Sequence, residues 1–243
     1  MHLNDRTVLI TGASRGIGRE LTRQAVARGA HVVAVARGFD GPAGDRVTHW
    51  PIDLADPAAV ADLADRVTQR HPDLSVVFNN AGVQTLTDFL TEDPRDLRPV
   101  LRREIAVNLD AVVALSTGLL PHLRRQPSAA IVNVTTGLAL APKRSAPVYC
   151  ATKAAVRSFT RALRYQCQDA APHVRVVDAV MTLVDTDMTS GRGANKITPA
   201  AAAASILDGL ARGTDEILVG RSRLLPPIMR LSPALGHRIL RNT

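Results

Sequence analysis

Tyr149 and Lys153 stand four residues apart in Pro147-Val148-Tyr149-Cys150-Ala151-Thr152-Lys153, at the head of an alanine-rich run. Residues at this spacing share one face of a helix, so the Lys153 ammonium can lie beside the Tyr149 ring. A free phenol titrates near pH ~10, and a neighbouring cation favours its ionised form. Such a pair can give and take a proton near neutral pH. The chain holds three lysines (Lys143, Lys153 and Lys196) among 30 basic residues. Arginine is a poor substitute where a compact ammonium must sit against a ring, so a lysine at 153 is informative. The spacing also describes a surface tyrosine beside a solvated lysine, and the rest of the chain has to decide.

The elements that would position this pair begin at the N-terminus. Thr7-Val8-Leu9-Ile10 reads as a strand, followed by Thr11-Gly12-Ala13-Ser14-Arg15-Gly16-Ile17-Gly18, a helical stretch from Arg19 to Arg28 closed by Gly29, and a second strand His31 to Ala36. This is a βαβ unit. Its glycines let backbone N–H groups approach a pyrophosphate, and the helix N-terminus favours negative charge. The end of the second strand chooses between cofactors. NAD-binding units place an acid there, about 20 residues past the glycines, to hold the ribose 2′-hydroxyl. Here the chain reads Ala36-Arg37, with no acid before Asp40. A guanidinium suits a 2′-phosphate, and Arg15 could supply a second cation. The expected cofactor is NADP(H), with NAD(H) as the alternative. Both arginines are also compatible with solvated surface positions in an arginine-rich chain.

Together these residues resemble the short-chain dehydrogenase/reductase family. Its glycine turn matches Gly12, Gly16 and Gly18, with Ser14, Arg15 and Ile17 between them. Its Asn-Asn-Ala-Gly motif matches Asn79-Asn80-Ala81-Gly82, and its adenine-contacting aspartate matches Asp53, followed by Leu54. Its active-site asparagine matches Asn108, and its catalytic pair matches Tyr149 and Lys153. Val184 and Thr186 match the segment that in the family holds the carboxamide side. The wording around Pro121-His122-Leu123, Tyr149 and Leu183-Val184-Asp185-Thr186 is most similar to the DltE-like bacterial branch.

The resemblance implies reversible hydride transfer between NADP(H) and a carbonyl or secondary alcohol. Tyr149 would exchange the proton, Lys153 would lower its pKa and bind the nicotinamide ribose, and Asn108 would hold a water leading to Lys153. The alternative role of Asn108 is a helix-kinking polar residue satisfied internally. The family usually has serine thirteen positions before the tyrosine; here it is Thr136, which keeps a donor hydroxyl but adds a stiffening methyl. Thr135 is the register alternative, disfavoured because adjacent strand residues face opposite ways. The family's Pro-Gly after the sixth strand is replaced by Met181-Thr182, which changes backbone freedom in the site wall. Three function classes therefore stay open: a reductase or dehydrogenase, a non-redox enzyme on the same fold, and a cofactor-binding scaffold.

The 243 residues, 46% of them hydrophobic, suit one α/β domain spanning 1–243. Strands are expected near 7–10, 31–36, 47–52, 75–79, 129–134, 174–179 and 216–219. Alternation with helical runs predicts a doubly wound, Rossmann-type parallel sheet of seven strands with helices on both faces. Residues 181–198 read as a mobile substrate flap with Gly191 and Gly193 as hinges. Val83, Leu138, Leu140 and Met188 suggest an apolar ligand, while Lys143 and Arg144 could meet an acid at the rim. Cys150 and Cys167 read as buried or free thiols, and the seven histidines show no metal spacing.

The net charge of +8 invites nucleic acid or a membrane surface as partner. The basic residues are dispersed and aromatic content is only 3%, so nucleic acid is not expected. The tail 221–243 carries five arginines and no acid between apolar residues and prolines. It can be read as a lipid-binding segment, but packing on its own domain or a sister subunit is preferred. No signal peptide and no apolar run of spanning length is read, so a cytoplasmic location is expected. The family resemblance implies a homodimer or homotetramer.

Overall fold

The computed structural model describes residues 1–242. Seven strands form one parallel sheet: β1 (Thr7–Thr11), β2 (His31–Ala36), β3 (Val47–Pro51), β4 (Leu74–Asn79), β5 (Ala129–Thr136), β6 (Val174–Met181) and β7 (Glu216–Leu218). Their spatial order is β3-β2-β1-β4-β5-β6-β7. Chain direction across the sheet therefore reverses between β1 and β4. In such sheets ligands bind beyond the carboxyl ends of the strands at this reversal.

The central strands are continuous apolar runs because both sheet faces are covered. Val8, Ile10, Val76 and Phe78 face one side, where they meet Leu21 and Ala25 of helix α1 (Gly16–Ala27). Ile206, Leu207 and Leu210 join the same core from a later helix (Pro199–Ala211), which becomes α6 in chain order. Leu9, Val33, Val77 and Ile131 face the other side. There they meet α2 (Pro57–Arg70), α4 (Ala111–Leu123) and α5 (Pro147–Ala170) through Leu63, Leu119 and Leu163. Within α2 and α6 the start is set by an acceptor cap and a proline in the first turn, Asp56-Pro57 and Thr198-Pro199.

Helix α3 (Pro94–Ile105) runs into α4 through a π-helical turn, Ala106–Asp110, that contains Asn108. The composite Pro94–Leu123 rod is long and apolar enough, by length and composition, to cross a membrane. This corrects the expectation that no run reaches that length. Leu115, Leu119 and Leu123 are nevertheless buried against the sheet.

Two boundaries differ from the sequence reading. β6 continues to Met181, paired with Thr136, because a residue with an N–H in place of proline lets the ladder run on. The segment after it is fastened rather than loose. Val184 bridges Ile197, Asp185 and Ile197 exchange backbone bonds with Ile197 and Leu183, and Thr186 and Thr189 cap each other around a 3₁₀ turn. The tail forms α7 (Leu225–Leu231) and α8 (Pro233–Leu240). It packs on its own domain: Leu225 is buried, and Leu225 and Leu240 lie against Gly137 at the end of β5.

Candidate active site

The glycine turn after β1 is shaped by close backbone approaches. Gly12 and Gly16 have φ of +67° and +53°, a region that costs side-chain-bearing residues energy. A Cβ at Gly18 would lie 2.0 Å from the Gly12 carbonyl oxygen, and one at Gly12 would lie 2.9 Å from Ala81 Cα. The turn is held from β4: Asn80 Nδ2 donates to Thr11 O at 2.9 Å, and Thr11 Oγ1 accepts the N–H groups of Asn80 and Ala81. Ile17 is partly buried against the core, and Ser14 stays partly open on the turn. Helix α1 starts without a side-chain cap and without an acid in its first turn. Its N–H groups are thus left for an anion. Thr186 closes this cradle, its Cγ2 3.2 Å from where a Gly16 Cβ would stand. The residues present fit a dinucleotide pyrophosphate.

The adenosine side is partly as expected. Arg37 is exposed just past β2 with no acid beside it until Asp40. Arg15 instead reaches across to Asp187 at 3.1 Å, both side chains being largely exposed. Such a pair is weak and screened, so Arg15 stays available to another anion. Asp53 is engaged by Arg103 Nη2 at 2.9 and 3.0 Å and by the Ala55 N–H. These donors, the Ala55 amide foremost, keep its carboxyl below the usual range. Leu54 beside it is buried.

On the other side of Gly82 lie Tyr149 and Lys153. Tyr149 and Lys153 occupy successive turns of α5, with Lys153 Nζ 6.0 Å from the ring centroid. The ammonium is buried and donates to Val134 O at 2.9 Å. Burial lowers the Lys153 pKa to about 8. The expected acidification of Tyr149 is not found: burial pushes its pKa up, and the Cys150 and Glu104 charges push the same way. Removal of water from the phenol outweighs a cation at this distance that is already bonded to a carbonyl. These surroundings favour the protonated phenol.

Thr136 ends β5, and its Oγ1 accepts the Leu138 N–H at 3.3 Å, capping a short 3₁₀ turn. The Thr135 hydroxyl points elsewhere, donating to Asp178, which Arg157 also binds. Adjacent strand residues thus divide the two tasks, leaving Thr136 at the cleft. Asn108 is fully buried. Its amide donates to Val83 O at 2.8 Å and accepts from Val83 N at 2.9 Å, with a further contact to Thr152 Oγ1 at 3.3 Å. The side chain therefore clamps the loop after Gly82, the internal role. A Cβ at Gly82 would sit 3.4 Å from Asn108 Oδ1 and 3.6 Å from Lys153 Nζ, so the loop needs a small residue there.

Several residues of the site escaped the sequence reading. Glu104 is fully buried one turn before Asn108, with Oε2 unpartnered and its carboxyl pKa raised by burial. An acid at 104 directly after Arg102-Arg103, in the last turn of the arginine-rich α3, was the available signal. Lys143, read as a rim charge, is only 5% exposed. Arg192 of the flap donates to Gln84 across the cleft. Both thiols are buried, and Cys150 is fixed by the Lys143 amide at 3.4 Å. Among the described residues no cluster could hold a metal ion.

The short chain dehydrogenase family model matches residues 6–197. The chain is 37% identical over 229 residues to the uncharacterized oxidoreductase DltE of Bacillus subtilis, covering 89% of each. It is 32% identical over 198 residues to meso-2,3-butanediol dehydrogenase of Serratia marcescens, covering 79% of this chain and 76% of that one. A crystal structure of a short chain dehydrogenase from Burkholderia cenocepacia in complex with NADP superposes with a TM-score of 0.88 at 27% identity, covering 100% of both chains. With the glycine cradle, the Asn-Asn-Ala-Gly loop and the Tyr149–Lys153 pair all in place, the chain belongs to the short-chain dehydrogenase family.

Proposed function

We propose that the chain is an NADP(H)-dependent oxidoreductase working between a carbonyl and a secondary alcohol. The observation that carries this reading is the neutral Tyr149 phenol one helical turn from a buried Lys153, beside the glycine cradle. When bound, the nicotinamide supplies or accepts the hydride. The chain's own residues manage the proton and the geometry. Tyr149 donates its proton to the oxygen of the carbonyl as negative charge develops there. Thr136 Oγ orients and stabilises the same oxygen. Lys153, with a pKa lowered to about 8, holds positive charge behind the phenol below that pH and helps it give up its proton. Asn108 and the Val83 loop fix the floor of the cleft. The segment 181–198 covers the substrate.

Arg37 and the missing acid after β2 support NADP(H) over NAD(H), and the Burkholderia relative holds NADP. The test is the absorbance of NADPH and of NADH, each followed with a panel of aldehydes, ketones and oxo acids. Consumption of NADPH with stoichiometric alcohol supports the proposal. Conversion of substrate without net change in cofactor supports a non-redox enzyme on this fold, the reading that Thr136 and Met181-Thr182 keep in view.

A further inference from the structure

On the reading that this cleft reduces a carbonyl, we propose that its substrate carries an oxyanion, a carboxylate or a phosphate, held between Lys143 and Arg192. Lysine is almost never buried to this degree without a partner. Lys143 is 5% exposed, its stem covered; its ammonium keeps some solvent access and, among the described residues, has no carboxylate and no hydrogen-bond acceptor. It is also held in place. Its own backbone N–H and C=O contact Cys150 Sγ, the residue next to Tyr149, at 3.4 and 3.9 Å.

Arg192 approaches from the flap and is steadied by Gln84, two residues past Gly82. It makes no salt bridge among the described residues. The strongest charge acting on Lys143 is Arg192, and both that charge and burial depress the lysine pKa. Arg192 also acts on the Tyr149 phenol, in the sense that favours ionisation. The Gln84 bond brings Arg192 to one wall of the cleft and the Cys150 contact fixes Lys143 on another, and the charge of Arg192 is felt at both Lys143 and Tyr149. Bringing like charges together in a poorly solvated place is unfavourable unless an anion bridges them through charge-assisted hydrogen bonds.

Thr87 adds a further donor in the same wall. It is 8% exposed, its Oγ1 has no partner, and its N–H is bonded to Ser145 O at 3.0 Å beside the Lys143 loop. Glu104, the nearby acid, acts on Tyr149 and Cys150. Burial raises its carboxyl pKa, and among the described residues it makes no ion pair or hydrogen bond with Lys143 or Arg192. On this proposal the polar wall would add an anionic group to the apolar ligand expected from Val83, Leu138, Leu140 and Met188.

The test uses the full chain with NADPH and matched probes: oxo-carboxylates with the ketone two, three or four carbons along, their ethyl esters, and oxo-alkyl phosphates. Acids should exceed their esters in kcat/KM by about tenfold or more, chiefly through KM, since charge-assisted bonds are mostly uniform binding. Lys143→Met should bring that ratio toward one, and Lys143→Arg should restore part of it. Carboxylate and phosphate arms separate the two sources of charge. Equal rates for acids and esters, or a Lys143→Met loss shared by both, would overturn the proposal.

Calorimetry separates this from the redox reading. Acetate and inorganic phosphate are titrated into the NADP-loaded protein, where the cofactor already fills its own phosphate sites. Saturable binding that Lys143→Met abolishes supports the anion site even if no probe is reduced. Absence of saturable binding, or binding unaltered in Lys143→Met, contradicts it.

Discussion

The two sides of the cleft are built by different means. The dinucleotide side is a matter of backbone: positive φ at Gly12 and Gly16, a Gly18 with no room for a Cβ, and an uncapped α1. The substrate side is a matter of side chains held out of water: Lys143, Lys153, Asn108 and Glu104 are all at or below 5% exposed. A backbone cradle tolerates many sequences so long as the glycines stay. A wall of buried polar groups is tuned by each residue it contains, and there Thr136 and Met181-Thr182 stand where the family resemblance implies serine and Pro-Gly.

The contrast can be broken at either side. The largest effect is expected at the proton donor. Tyr149→Phe should lower turnover by about 100- to 10,000-fold while NADPH affinity, measured by fluorescence titration, changes little. Comparable turnover would remove Tyr149 from the chemistry. Next comes the cradle. Gly18→Ala introduces a Cβ that would meet the Gly12 carbonyl at 2.0 Å, forcing the turn open. NADPH affinity should fall by about 100-fold, roughly 2.7 kcal/mol, and unchanged affinity would show that the turn does not hold the pyrophosphate.

Arg37→Ala should weaken NADPH by about 10- to 100-fold, as expected for lost charge-assisted bonds, and leave NADH nearly unaltered. Equal losses for both would assign Arg37 no role at the 2′-phosphate. The smallest effect is on stability. Lys153 titrates at about 8 in the fold against 10.5 in the open chain. Between those values the unfolded chain binds the extra proton, so this group makes stability rise with pH across that window. Lys153→Met removes the contribution. The melting temperature of the variant minus that of the wild type should be greatest near pH 7 and fall as pH climbs toward 10.5; a pH-independent difference would contradict the lowered pKa.

What could be read from sequence follows the same division. The seven strands were legible because doubly buried parallel strands are continuous β-branched runs, and the glycine turn because φ and close approach select one residue type. β6 was cut short at 179 because Met181 was judged against a proline that this chain lacks. The Tyr149–Lys153 juxtaposition followed from helical spacing. The direction of the phenol's pKa did not, because burial and the Lys153–Val134 bond depend on strands and loops distant in sequence. Glu104, Arg192 and the burial of Lys143 were hidden for the same reason: spacing does not report which loop will close over a charge. The flap looked hinged by Gly191 and Gly193, yet the Val184–Ile197 bridge and the Thr186–Thr189 cap fasten it.

The most direct measurement of the central claim, that a neutral Tyr149 completes carbonyl reduction begun by hydride, is isotope transfer. NADPH carrying deuterium at the transferable C4 position is supplied with an oxo acid that the enzyme converts, and the product is weighed by mass spectrometry for wild type and Tyr149→Phe. One deuterium at the former carbonyl carbon, formed by the wild type and almost absent with the variant, is the predicted result. An unlabelled product with the cofactor recovered intact, or equal labelling by both proteins, would contradict it.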